Sequence, residues 1–102
     1  MPENPTQQEV LSRFIRGGRL LVIPSKRVKR LVVLDYLAHL FEPGQRYPEA
    51  EVNERLGALH PDFAALRRYL VDEEFLERAD EVTPEGRSLK VYWRAGGTFP
   101  VD

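Results

Sequence analysis

The chain has 102 residues, 42% of them hydrophobic and 30% charged, with 15 Lys and Arg against 16 Asp and Glu and no cysteine. Such a length and balance describe one ordinary domain with a modest core. The lack of thiols excludes disulfides, thiolate catalysis and cysteine-ligated zinc, and it fits a reducing, cytoplasmic setting. No apolar run approaches the ~20 residues of a bilayer span, and Met1 to Pro5 lacks the basic and apolar order of a signal peptide.

Met1 to Pro5 reads as a loose leader. Thr6 and Glu9 have capping-box spacing, and Val10, Leu11, Phe14 and Ile15 recur at helical intervals, so a first helix is expected that Gly17-Gly18 stops. Leu20 to Ile23 reads as a short buried strand or extended segment ended by Pro24. Ser25 is the expected N-cap of a second helix, Lys26 to Phe41, with Leu31, Leu34, Leu37, Ala38 and Phe41 on its apolar stripe. Arg46-Tyr47 reads as a minimal strand. Pro48 suits the first position of a third helix running to Leu59, whose buried face is Val52, Leu56 and Leu59. Asp62 or the residue before it can cap a fourth helix, Pro61 to Glu74, with Phe63, Leu66, Tyr69 and Leu70 on one face. Leu76 to Arg94 reads as a hairpin turned by Thr83 to Ser88. Tyr92 and Trp93 alternate on its second arm, and Trp93 is expected in the core. From the second helix onward this is the element order of a winged helix-turn-helix, an α+β fold.

Charge is segregated along the chain. Seven bases and no acid lie between Val10 and Leu34, namely Arg13, Arg16, Arg19, Lys26, Arg27, Lys29 and Arg30. From Glu42 through Glu85 there are twelve acids against five bases. A segregated positive patch attracts anions even when the net charge is near zero, here −1. Two readings stand for the start of the second helix. Lys26, Arg27, Lys29 and Arg30 can gather at a helix N-terminus to meet the phosphates of nucleic acid. Alternatively Arg27 and Arg30, which share the angular sector of the apolar stripe at ~100° per residue, pair with carboxylates of the acidic half. Lys26 and Lys29 point outward under either reading.

The outer face of the fourth helix carries Ala64, Ala65, Arg68 and Asp72. The alanines permit close approach to a groove, and Arg68 is placed to read a guanine edge. Asp72-Glu73-Glu74 would repel phosphate, so only the N-terminal half can enter. Arg67 lies nearer the apolar stripe and can serve phosphate or a salt bridge. On the hairpin, Arg87 and Lys90 can meet a backbone, opposed by Glu81 and Glu85. The two histidines, His39 and His60, read as a solvated residue and a turn residue. No triad, phosphate loop or metal-ligand spacing is present in the sequence, so a non-enzymatic protein without cofactor or metal is expected.

Several segments in order resemble the DUF2087 family: Ile23 to Leu34, Phe41 to Tyr47, Glu51 to Glu54, Leu66 to Asp72 and Tyr92-Trp93-Arg94. The resemblance covers roughly Gly18 to Arg94, with one departure at Val28, where a basic residue is expected. It implies a small bacterial protein, or the C-terminal part of a transcriptional regulator, and brings no catalytic residues. The expected organisation is a leader and helix over 1–18, a winged-helix domain of this type over 19–95 and a tail over 96–102. DNA is the expected partner. A protein-interaction module without direct DNA binding is the alternative, and small-anion or nucleotide sensing at the Ser25 helix start is a third reading.

Overall fold

The computed structural model describes residues 6–96. The expected leader, 1–5, and the tail beyond Gly96 lie outside them. Among the described residues the chain is mixed α+β. It runs α1 (Gln7–Phe14), β1 (Ile15–Arg16), β2 (Arg19–Leu20), α2 (Arg27–Ala38), β3 (Arg46–Pro48), α3 (Glu49–Gly57), α4 (Phe63–Asp72), β4 (Leu76–Val82) and β5 (Ser88–Arg94). Both sheets are antiparallel: β1 pairs with β2, and three strands stand in the order β3-β5-β4.

The first helix starts as its sequence dictates. Thr6 and Glu9 form a complete capping box, which satisfies two backbone donors that the helix leaves open. Its end differs from expectation. Gly17 and Gly18 have φ of 58° and 75° and turn the chain back, so that Ile15 pairs with Leu20. Two consecutive positive-φ residues suit a tight hairpin that side chains would strain. The expected buried strand Leu20 to Ile23 shrinks accordingly. Leu20 is in the core, while Leu21 and Val22 are 55% and 54% exposed. Leu21 N–H still donates to Phe14 O at 2.8 Å, and Ile23, half-buried, packs against the core beside buried Pro24.

Helix α2 is the centre of the molecule and buries Leu31, Val32, Val33, Leu34, Leu37 and Ala38. Its N-cap is Lys26 rather than Ser25, and no side chain caps it. The carbonyl of Ser25 instead accepts from Arg30 Nη1 at 2.9 Å. Beyond Ala38, i→i−3 hydrogen bonds through Phe41 tighten the end. Pro48 is the N-cap of α3, one position before its expected place. Gly57 lets the Phe63 ring pass: a β-carbon there would lie 3.3 Å from Phe63 Cδ2. Asp62 caps α4 by accepting from the Ala65 N–H at 3.2 Å.

Helix α4 ends in a Schellman arrangement. Phe75 N–H donates to Leu70 O and Glu74 N–H to Val71 O, with Glu74 at φ 61°. This turn drives Phe75 and Leu76 into the core and launches β4. Leu34, Leu37, Val52, Leu56, Leu66, Leu70 and Tyr92 are fully buried around them. Side chains of this size stabilise by about 1.5–3 kcal/mol each when removed from water.

The expectation for Trp93 is corrected. Tyr92 takes the inward position and Trp93 the outward one, where its Nε1–H donates to Glu77 at 3.0 Å and Arg46 stacks 4.5 Å from the ring centroid. Successive strand residues cannot both face the core, and Tyr92 finds a hydroxyl acceptor in Glu49.

Candidate anion-binding surface

The four cations at the start of α2 divide by what their heads touch. Arg27 forms a two-pronged pair with Glu73 at the end of α4, both bonds 2.8 Å. That hydrogen bond, and then the carboxylate charge, raises its pKa above the ordinary arginine value. Arg30 forms no ion pair among the described residues. It donates to the carbonyls of Ser25 and Pro24 and lies 4.6 Å over the Tyr69 ring. Its Nε is enclosed without a hydrogen-bond partner among the described residues. The arginines therefore clamp the α2 entry onto α4. Lys26 is exposed and Lys29 half-buried. Neither forms an ion pair among the described residues. Both edge a shallow depression of about 290 Å³ with Phe14, Val22, Ile23 and Pro24.

A second group lies where α4 meets the β4–β5 hairpin. A half-open cleft of about 430 Å³ has Ala64, Ala65, Arg68 and Val71 on its helix side and Arg78 and Tyr92 on its strand side. Arg67 also lines it but is held from behind. It donates to Asn53 Oδ1, and its Nε lies 3.5 Å from Glu49. The Tyr92 hydroxyl donates to the same Glu49 at 2.5 Å. Burial, and then this bond, pushes the Tyr92 pKa up, while the neighbouring Arg78 guanidinium works in the opposite direction. Arg68 and Arg78 form no ion pair with any described carboxylate.

Register explains Arg78. It stands opposite Tyr92 in the β4–β5 ladder and two residues after buried Leu76, which puts it on the helix-facing side. Sequence reasoning assigned the strand yet passed over this residue, although alternation from Leu76 points to it. Of the other expected cations, Arg87 is exposed at the hairpin turn, where its backbone N–H donates to Thr83 Oγ1. Lys90 pairs with Asp80 at 3.2 Å. Glu81, expected to oppose the hairpin bases, pairs with Arg46 instead. The structure thus brings Arg67 and Arg68 together with Arg78. It holds Lys26, Arg27, Lys29 and Arg30 apart from them, beside the acidic end of α4.

The histidines do turn work: His60 Nδ1 accepts from Asp62 N–H at 3.0 Å, and His39 Nδ1 lies 2.8 Å from the Asp35 carbonyl. Among the described residues no cluster of three metal-ligating side chains forms, and no helix is long and apolar enough to cross a membrane. The model of DUF2087, an uncharacterized protein conserved in bacteria, matches residues 19–94. No curated protein and no solved structure matches the chain.

Proposed function

We propose that this chain, which belongs to the DUF2087 family, is a winged helix-turn-helix that binds DNA in the cytoplasm as part of transcriptional regulation, without enzymatic activity or cofactor. In this reading α2, α3 and α4 are the three helices, α4 is the recognition helix, and the β4–β5 hairpin is the wing. The three-stranded order β3-β5-β4, with β3 between α2 and α3 and the β4–β5 hairpin after α4, supports it. The observation that carries the function is the outward face of α4. Ala64 and Ala65 leave it low, and Arg68 stands there beside the hairpin without an ion pair among the described residues. Asp72 and Glu74 make the far end of α4 repellent to phosphate, so the N-terminal half enters the groove.

Lys26, Lys29, Arg68 and Arg87 supply the backbone contacts. About four phosphate contacts give a slope of log K against log salt near −3.6, at ~0.9 per phosphate. Fluorescence anisotropy with duplex DNA across a salt series tests this. Joint Lys26→Glu and Lys29→Glu substitution is expected to reduce the slope to about −1.8 and leave melting unchanged. Absence of duplex binding by the wild type at low salt, or a slope near zero, overturns the reading. The exposed Leu21, Val22 and Val28 next to Lys26 favour one alternative, a protein-interaction module. That alternative stands if the fold is intact and duplex DNA does not bind.

A further inference from the structure

Five arginines of this protein serve the fold. Arg27 holds Glu73, Arg30 two carbonyls, Arg46 Glu81, Arg55 Glu51 and the Leu40 carbonyl, and Arg67 Asn53 and Glu49. Arg68 and Arg78 are placed differently, with Arg78 beside the Tyr92 hydroxyl. They come from different elements, line one concavity and lack a carboxylate partner among the described residues. Two like charges facing one cleft repel each other, and an anion between them reverses the sign of that interaction.

The rest of the cleft suits the same occupant. The helix side is low, with Ala64 and Ala65 leaving room beside Arg68. Asp62, at one end of α4, is engaged by the Ala65 N–H. Asp72, one turn beyond Arg68, is the carboxylate left to compete. The volume, about 430 Å³, exceeds that of one phosphate group severalfold, which leaves space for the atoms esterified to it. Planar guanidinium forks match phosphate oxygens in pairs, as an ammonium cannot.

We propose that the cleft between α4 and the β4–β5 hairpin is a phosphate seat, in which Arg68 and Arg78 grip one esterified phosphate group from opposite walls. Its assignment to a phosphodiester of the DNA backbone rests on the DNA-binding reading; the seat itself does not.

Arginine Nε–H signals of the full chain, titrated with inorganic phosphate at constant ionic strength, give the first test. Arg68 and Arg78 are expected to shift together, and Arg27 and Arg30 to stay. Arg68→Gln and Arg78→Gln should each weaken phosphate binding at least about tenfold, and Asp72→Asn should strengthen it about two- to threefold. In duplex DNA binding, joint Arg68→Gln and Arg78→Gln substitution, which empties the seat, should flatten the salt slope by ~0.9. The titration uses the wild type and does not depend on any variant folding. If phosphate moves neither arginine, the seat is overturned, even where DNA binds through other bases. If both arginines respond but the wild type binds no duplex DNA at low salt, the seat stands and the DNA reading falls. A mononucleotide then competes with phosphate for the same two residues. If DNA binds with a slope that the joint Arg68→Gln and Arg78→Gln substitution leaves unaltered, the DNA reading stands and the seat as its backbone contact is overturned.

Discussion

The entry of α2 and the cleft beside α4 are both rich in arginine, and they use it in opposite ways. At the α2 entry the sequence crowds four cations into five residues, yet Arg27 and Arg30 spend their donors on Glu73, two carbonyls and the Tyr69 face. At the cleft, Arg68 and Arg78 are ten residues apart in the chain and converge without an ion pair among the described residues. Density of charge along a chain therefore says little about charge available to a ligand. Availability depends on which acceptors the fold delivers, and the fold delivers them to the denser cluster.

The largest effect separating the two regions should come from Arg30. Arg30→Ala strips the donor from the Ser25 and Pro24 carbonyls and the cation from the Tyr69 ring, a loss of about 2 kcal/mol in urea unfolding. Arg30→Lys should recover only part of it, since an ammonium has no planar fork. Joint Lys26→Glu and Lys29→Glu substitution, in the same segment, should change stability by less than about 0.5 kcal/mol. Equal losses would mean that the entry is one electrostatic unit, and the division drawn within it would fail.

Next in size is the support of the cleft. Tyr92→Phe removes the hydroxyl bonded to Glu49 and should cost about 1 kcal/mol at neutral pH. The pH dependence has a definite sign. Burial and the Glu49 bond raise the folded-state pKa of Tyr92 above its unfolded value near 10. The folded state then keeps a proton that the unfolded chain loses. The contribution is complete below about pH 10 and declines as pH rises from there through the folded pKa. Subtracting the Tyr92→Phe stability profile from the wild type isolates this decline. A flat difference from pH 8 to 11 would show that the hydroxyl is not held as described.

How these regions were legible in the sequence differs in kind. Local rules gave the capping box at Thr6, the Asp62 cap, the stripe of α2 and the outward lysines, since each needs only neighbours a turn away. The shared wheel sector of Arg27 and Arg30 already pointed inward, and the acidic half offered partners; Arg27 took one and Arg30 took carbonyls beside it. The β1–β2 turn at Gly17-Gly18 was hidden because two-residue strands carry no period. Trp93 was misplaced because alternation fixes that Tyr92 and Trp93 oppose each other but not which faces in. The inward residue, Tyr92, donates its hydroxyl hydrogen bond to Glu49, 43 residues away. Arg78 was within reach of strand alternation, but its importance depends on Arg68 standing across the cleft, which only the tertiary fold supplies.

The smallest expected effect concerns the Arg27–Glu73 pair, and it bears most directly on the comparison. The Arg27 side chain is 60% exposed while that of Glu73 is 13% exposed, so the cation is solvated even when paired. Exposed pairs contribute little, and a double-mutant cycle with Arg27→Gln and Glu73→Gln should give a weak coupling that fades by 1 M salt, where the screening length is ~3 Å. Weak coupling makes Arg27 convertible. On the DNA-binding proposal, Glu73→Gln alone frees a fork beside Lys26 and Lys29 and should steepen the salt slope by up to ~0.9. Arg27→Gln in the wild type should leave the slope unchanged, because Glu73 already holds that charge. The opposite pattern, with Arg27→Gln flattening the slope and Glu73→Gln without effect, would show Arg27 serving phosphate through its pair. The α2 entry would then bind anions as the cleft does, and the contrast between the two regions would be gone.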